Sequence, residues 1–97
     1  MGKLVNIHPG DVLKEEFLVP YAITAYRLSK DIGIPQTRIS QILKGKRRIT
    51  ADTSLRLAKY FGTTAQFWLG LQNDFDIEEE KLKIKDELHE ISAIKVS

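Results

Sequence analysis

The feature that most constrains the fold of this chain lies at residues 25–44, where a glycine separates two stretches of helically spaced apolar residues. Gly33 can adopt a left-handed backbone without steric cost, so it can end one helix and turn the chain into the next. Ser29 is small enough to let the two helices cross closely. The apolar residues that would hold the pair together are Leu28, Ile32, Ile34, Ile39 and Ile42. The stretch therefore predicts a helix-turn-helix unit.

Prolines, glycines and cap residues divide the rest of the chain into further short helices. Pro20 ends a first helix, because the residue before a proline avoids the α region. Threonines at 24, 50 and 64 are suitable N-caps, and Pro35 suits the first turn of a helix. We predict helices at residues 11–18, 25–32, 35–43, 51–60, 65–72 and 77–94, with Asp76 beginning the last. No segment alternates steadily between apolar and polar residues, so we expect an all-α fold with little or no sheet.

The composition allows one compact domain and excludes several kinds of chemistry. The chain has 97 residues, of which 42% are hydrophobic, enough for a single core. The absence of cysteine excludes disulfides, thiolate metal sites and cysteine nucleophiles. No apolar run approaches the ~18 residues of a membrane span, and the N-terminus lacks a secretory signal, so we expect a cytoplasmic protein without a membrane segment. The core should receive Val12, Leu13, Phe17, Leu18, Tyr26, Leu28, Leu55, Leu57, Ala58, Phe67, Trp68 and Leu71.

Charge is distributed unevenly along the chain. Residues 24–60 contain nine lysines and arginines against two acidic residues, a net charge of +7. Residues 74–90 contain eight acidic residues against three lysines, a net charge of −5. A basic block of this kind is typical of a protein with a polyanionic partner, although a solvated helical surface would give the same count. The helix-turn-helix motif inside the block favours the polyanion.

The second helix of the motif carries side chains suited to reading DNA. In a helix-turn-helix this helix lies in the major groove with its N-terminal residues at the base edges. Glutamine can pair with adenine, arginine with guanine, and threonine with either base type. The candidate base-reading residues are Gln36, Thr37, Arg38, Ser40 and Gln41. Thr24, at the start of the preceding helix, is a candidate phosphate-binding residue. The other candidates lie at and just beyond the far end of the second helix and are Lys44, Lys46, Arg47 and Arg48.

Four stretches carry a family resemblance: residues 8–18, which begin His-Pro-Gly, and residues 33–40, 45–50 and 58–69, the last ending Phe-Trp-Leu. With them the chain resembles the lambda-repressor-like (Xre) helix-turn-helix family and, more narrowly, the HigA-type antitoxins of bacterial toxin–antitoxin operons. Pro35 departs from the pattern, since many members place a serine or threonine cap there. The resemblance implies a five-helix lambda-repressor-like DNA-binding domain at residues 1–75 and an acidic C-terminal helix or tail at residues 76–97.

The resemblance also implies an activity and two partners. It implies a homodimer that binds a palindromic operator and represses its own operon, and a RelE-like, HigB-type toxin that cleaves messenger RNA and is neutralised by binding. Two alternatives remain open: a solitary Xre-type regulator without a toxin, and a protein-interaction module that does not read DNA. An enzyme is not expected, because the sequence shows no nucleophile–base pair and no phosphate-cradling glycine loop.

Other candidate sites are better explained as structure. His8 and His89 lack ligand-spaced partners, so no metal or cofactor is expected, and His8 should pack or hydrogen-bond at the start of the first helix. The glutamates at 15–16 and 78–80 are interpreted as solvated surface. Residues 67–69, with Tyr60 and Phe61, could form a ligand pocket but are interpreted as core. The tail carries an apolar stripe that its own domain, a second subunit or the toxin could cover, unless the tail is partly disordered. The stripe consists of Ile77, Leu82, Ile84, Leu88, Ile91 and Ile94.

Overall fold

The computed structural model describes residues 6–95 and is entirely helical within them, apart from turns and connecting loops. Helix α1, Pro9–Val12, continues without a break as a π-helix over Leu13–Leu18. The other helices are α2 at Ala25–Ile32, α3 at Gln36–Leu43, α4 at Ala51–Phe61, α5 at Ala65–Lys83 and α6 at Lys85–His89. The predicted all-α class is confirmed. In the part of the chain described, no helix combines the length and apolar character needed to cross a membrane.

The first helix is capped by His8, as predicted. The Nδ1 atom of His8 accepts a hydrogen bond from the backbone N–H of Gly10 at 2.9 Å. The π-helical continuation was not predicted: the N–H of Val19 donates to the carbonyl oxygen of Lys14, five residues earlier, at 2.9 Å. The helix ends before Pro20, which has no N–H to continue the ladder.

The helix-turn-helix unit has the predicted geometry. The Thr24 side chain accepts from the N–H of Arg27 and caps α2, and Gly33 ends that helix with a φ of 72°. Ser29 is buried, with 8% of its surface exposed. Pro35 does not lie in the first turn of α3 as predicted; it is the N-cap, with an extended backbone. This position also leaves its missing N–H without consequence.

The core is built from the inward faces of the helices up to α5, together with Ile34 and Ile49 in the connecting loops. Its fully or almost fully buried apolar side chains are Leu13, Leu18, Leu28, Ile32, Ile34, Ile39, Ile42, Ile49, Leu57 and Trp68. Three predicted core residues are wrong. Tyr26 is 56% exposed and Leu55 is 63% exposed, because each lies on the outward side of its helix. Phe67 is also partly outside, at 39% exposed, although it packs edge-on against Trp68.

The predicted break between the fifth and sixth helices, at residues 73–76, is wrong. Helix α5 runs through it for 19 residues, so the expected division at residues 75 and 76 falls inside one helix. Asp76 does not cap a new helix, because its carboxylate accepts hydrogen bonds from Gln72 and Arg48. The predicted last helix is also shorter than expected: α6 ends at His89, and residues 91–95 are not helical.

The end of α5 and the described residues after it, up to residue 95, project from the body of the molecule. We call residues 77–95 the C-terminal arm. The molecule measures 54 × 32 × 23 Å and has a Cα radius of gyration of 16.7 Å, against about 12.5 Å for a compact domain of this length. Ile77, Leu82 and Leu88 on the arm are 53%, 60% and 43% exposed. Within the described residues, the chain's own domain therefore leaves most of the apolar stripe exposed, while Ile84 is half-buried.

Candidate nucleic-acid interface

Helix α3 presents one face to the core and the opposite face to solvent. Ile39 and Ile42 are completely buried, and they fix the helix against the domain. The outward face forms a shallow depression of about 490 Å³. We call it the reading groove; it is lined by Gln36, Thr37, Ser40, Gln41, Lys44 and Lys46. Four of the five predicted base-reading residues thus lie together, beside two of the predicted phosphate-binding residues.

Arg38 does not belong to the reading groove. It lines a second depression of about 520 Å³, between the turn that precedes α3 and the start of α4. We call this the arginine cleft; it is defined by Arg38, Arg47, Arg48 and Arg56 around Asp52. The predicted base-reading set is therefore divided between two surfaces, and the predicted phosphate-binding set is divided with it. Thr24 is not among the residues that line either depression.

Asp52 links two of the arginines in the cleft. Its carboxylate lies 3.5 Å from the Nη1 atom of Arg38 and 3.2 Å from the Nε atom of Arg56. Arg56 also donates from Nη1 to the carbonyl oxygens of Ile32 and Gly33, at 2.7 and 3.2 Å. These carbonyls lie at the end of α2, where backbone acceptors have no helical partner. Arg56 therefore ties α4 to the turn of the helix-turn-helix unit.

Gln41 and Arg47 connect the two depressions. The Nε atom of Arg47 donates to Oε1 of Gln41 at 2.8 Å. Because the side-chain oxygen of Gln41 is occupied in this way, its NH₂ group is left to face an incoming partner. The loop between α3 and α4 thereby orients one predicted base-reading residue.

Arg48 is held by a residue of α5. Its Nη2 atom donates to Oδ2 of Asp76 at 2.6 Å. Gln72 donates from Nε2 to the other carboxylate oxygen of Asp76 at 2.9 Å and accepts from the N–H of Ile49 at 2.7 Å. The hydrogen bond from Arg48 is the main reason why the pKa of Asp76 is lowered. The side chain is accordingly ionised at neutral pH.

The sequence did not reveal the roles of Arg56, Gln72 and Asp76. Arg56 was visible only as one cation of the basic block, and Asp76 was interpreted as a helix cap. Their partners lie more than twenty residues away in the sequence, beyond the reach of helical spacing rules. The need of Gln72 for partners follows from its burial, which the sequence does not show. Among the described residues, no group of three or more histidine or acidic side chains could hold a metal ion.

Comparisons with known proteins agree with this geometry. A family model described as Helix-turn-helix matches residues 15–68. Virulence-associated protein I of Dichelobacter nodosus is 44% identical over 77 residues, which cover 79% of this chain and 71% of that protein. The structure of an addiction module antidote protein of a HigA family from Coxiella burnetii is 42% identical, with a TM-score of 0.87, and the match covers 95% of this chain and 100% of that one. The structure of Pseudomonas aeruginosa antitoxin HigA with the higBA promoter is 32% identical, with a TM-score of 0.89 and coverages of 94% and 100%.

Proposed function

The chain belongs to the helix-turn-helix family, and from this premise we propose that it is a sequence-specific DNA-binding repressor that uses α3 as its recognition helix. The resemblance to HigA-type antitoxins predicted from the sequence is confirmed by the similar solved structures. One observation carries the proposal. The outward face of α3 forms a groove of amide and hydroxyl side chains with lysines at its end, and the buried isoleucines of the same helix hold that face rigidly outward.

The chemistry of the reading groove fits the major groove of DNA. Gln36 offers a paired donor and acceptor that suit adenine, Gln41 offers its NH₂ donor while its oxygen accepts from Arg47, and Thr37 and Ser40 can serve either base type. Lys44 and Lys46 lie at the end of the same surface, where they would meet phosphates and set the position of the helix. Lysines at this place add affinity without adding sequence preference.

Arg38 has a different proposed role from the four groove residues. It shares the arginine cleft with three other arginines and lies beside Asp52. A cleft rich in guanidinium groups is suited to phosphate, which arginine binds through parallel hydrogen bonds. We therefore assign Arg38 to the DNA backbone, together with Arg47, and leave base reading to the groove.

The protein is proposed to act as a homodimer in the cytoplasm. Two recognition helices of a dimer reach successive major grooves, ~34 Å apart, and read a palindromic operator. The arm carries the apolar stripe that a second copy would cover. The negative charge of the arm would repel the phosphates of DNA. Gel filtration with light scattering would test the dimer, and truncation before residue 77 should yield a monomer if the arm forms the interface.

We further propose that the protein is the antitoxin of a toxin–antitoxin module. It would repress its own operon and neutralise a HigB-type toxin that cleaves messenger RNA. The support is the similarity to the HigA-family structures over almost the whole chain. Co-expression with the product of the neighbouring gene, followed by pull-down, tests this proposal. A stable complex and rescue of growth are expected; growth arrest without rescue would favour a solitary Xre-type regulator.

A gel-shift with the DNA upstream of its own gene tests the repressor proposal itself. The expected result is a complex that survives an excess of unrelated DNA. Equal competition by unrelated DNA would contradict sequence-specific binding, and the absence of any complex would favour the alternative, a protein-interaction module that does not read DNA.

A further inference from the structure

Among the described residues, the shortest side-chain hydrogen bond of a predicted DNA-binding residue is made with the protein's own helix α5. Arg48 donates to Asp76 at 2.6 Å, and the two side chains are 54% and 42% exposed. The pair therefore lies at the surface, on the side of the arginine cleft. The guanidinium that would meet a phosphate is already paired with a carboxylate.

Asp76 is itself held in place by a buried residue. Gln72 is 1% exposed and uses its amide N–H on Asp76 and its oxygen on the backbone of Ile49. Ile49 follows Arg48 directly and is also buried. Asp76 and the backbone next to Arg48 are thus both hydrogen-bonded to the buried Gln72. The fold therefore holds Arg48 and Asp76 together in addition to their opposite charges.

The lysines of the reading groove differ from Arg48 in this respect. Among the described residues, Lys44 and Lys46 form no salt bridge. A phosphate that approaches them meets an uncompensated cation and displaces only mobile counterions. A phosphate that approaches Arg48 must compete with the carboxylate of Asp76 and is repelled by it.

We infer that Asp76 is a positioning residue that withholds Arg48 from the DNA, so that a carboxylate on α5 limits the affinity of the DNA-binding surface. The inference rests on the proposed DNA binding. It assigns to residues outside the helix-turn-helix unit a role in setting how strongly the protein binds phosphates. Arg48 then contributes little to DNA binding in the natural protein, and removal of the carboxylate releases it.

The test compares Asp76→Asn with the wild-type protein on operator DNA over a range of salt concentrations. The asparagine oxygen can still accept from Gln72, so the fold should be retained, and a urea unfolding curve checks this. A released Arg48 adds one phosphate contact and should steepen the plot of log K against log salt by about 0.9. The advantage of the variant over wild type should then be about threefold larger at 50 mM than at 200 mM salt.

Two further proteins separate this effect from a simple change in net charge. Asp74→Asn removes the same charge from an exposed position of the same helix, two residues away, and should leave the slope unchanged. In an Arg48→Ala background, Asp76→Asn should no longer steepen the slope. An unchanged or flatter slope for Asp76→Asn, or a gain that persists without Arg48, would overturn the inference.

A second measurement does not depend on the Asp76 variant. If Arg48 is withheld, Arg48→Ala alone should change the slope by less than half the effect of Lys46→Ala. Equal effects would show that Arg48 binds phosphate despite Asp76 and would overturn the inference while leaving the proposed function intact. Failure of the wild-type protein to bind any DNA would instead overturn the proposed function, and this inference with it.

Discussion

The main chain of Gly10 packs against the carbonyl group of Ile42 so closely that a Cβ atom at residue 10 would overlap the carbonyl oxygen. This contact joins the start of α1 to the end of the recognition helix. It also explains the glycine of the His-Pro-Gly stretch. His8 caps the helix, and Gly10 lets the recognition helix approach.

Gly10→Ala should destabilise the protein by about 1–3 kcal/mol, the usual cost of overpacking, because backbone atoms must move to admit the methyl group. The measurement is the free energy of unfolding in urea. Gly70→Ala is the matched control: Gly70 lies within α5, and a Cβ atom added there would meet nothing within 4 Å. Alanine there should stabilise the protein by about 0.5–1 kcal/mol. Equal effects of the two substitutions would contradict the described contact.

His8 should make stability depend on pH. Burial is the main influence on its pKa and lowers it from the usual 6.5, although the carboxylates of Asp11 and Asp76 act in the opposite direction. The unfolded chain therefore takes up a proton at His8 more readily than the folded protein. The stability that neutral His8 contributes is fully present above pH 6.5 and is lost as the pH falls through the folded pKa. Unfolding free energies measured from about pH 8 to about pH 5 should show this decline.

His8→Asn provides the control for that titration. Asparagine can accept the same hydrogen bond at an N-cap but has no proton to gain in this range. The variant should show a shallower decline of stability over the same pH range than the wild-type protein. Parallel curves for the two proteins would remove His8 as the source of the dependence.

Local signals in the sequence were sufficient for the helix-turn-helix unit. Thr24 and Gly33 bound α2 at the predicted residues, since a cap and a left-handed glycine act on the backbone directly. Helix α5 shows where such signals fail. An aspartate before a run of glutamates resembles a helix start, but the side chain of Asp76 is drawn to Arg48, 28 residues away, and the helix continues.

For the candidate site, too, the sequence predicted what depends on local spacing and missed what depends on contacts between helices. The residues of the reading groove share one face of one helix, so their proximity follows from helical spacing. The same spacing turns Arg38 away from that face, whereas its partner Asp52 is brought alongside by α4 and could not be identified from α3. Tyr26 and Leu55 were misplaced for a related reason: apolar character alone does not decide which side of a short helix meets the core.

Arg38→Ala distinguishes the two roles considered for this residue. A contact with the DNA backbone from the arginine cleft predicts that affinity falls equally for operator and for unrelated DNA. Binding of both DNAs at one salt concentration measures the difference. A loss of ~1–3 kcal/mol confined to the operator would instead show that Arg38 reads a base.

Lys46→Ala should weaken binding to operator and unrelated DNA alike and should flatten the salt dependence by about one unit of slope. The reason is that Lys46 lies at the end of the reading groove, where it would neutralise one phosphate. Lys59→Ala is the matched control, because Lys59 is exposed on α4 and lines neither the groove nor the cleft. The same change of slope in both variants would remove Lys46 from the interface.

The central claim is that the outward face of α3 reads DNA sequence, and one binding comparison tests it most directly. Affinities of wild type, Gln36→Ala and the control Gln66→Ala, on α5, are measured on the DNA upstream of the protein's own gene and on a shuffled sequence. We expect wild type and Gln66→Ala to prefer the upstream DNA at least about 10³-fold. Gln36→Ala should lose ~1–3 kcal/mol on that DNA and almost nothing on the shuffled one. Equal binding of both DNAs by the wild-type protein, or an equal loss on both for Gln36→Ala, would contradict the claim.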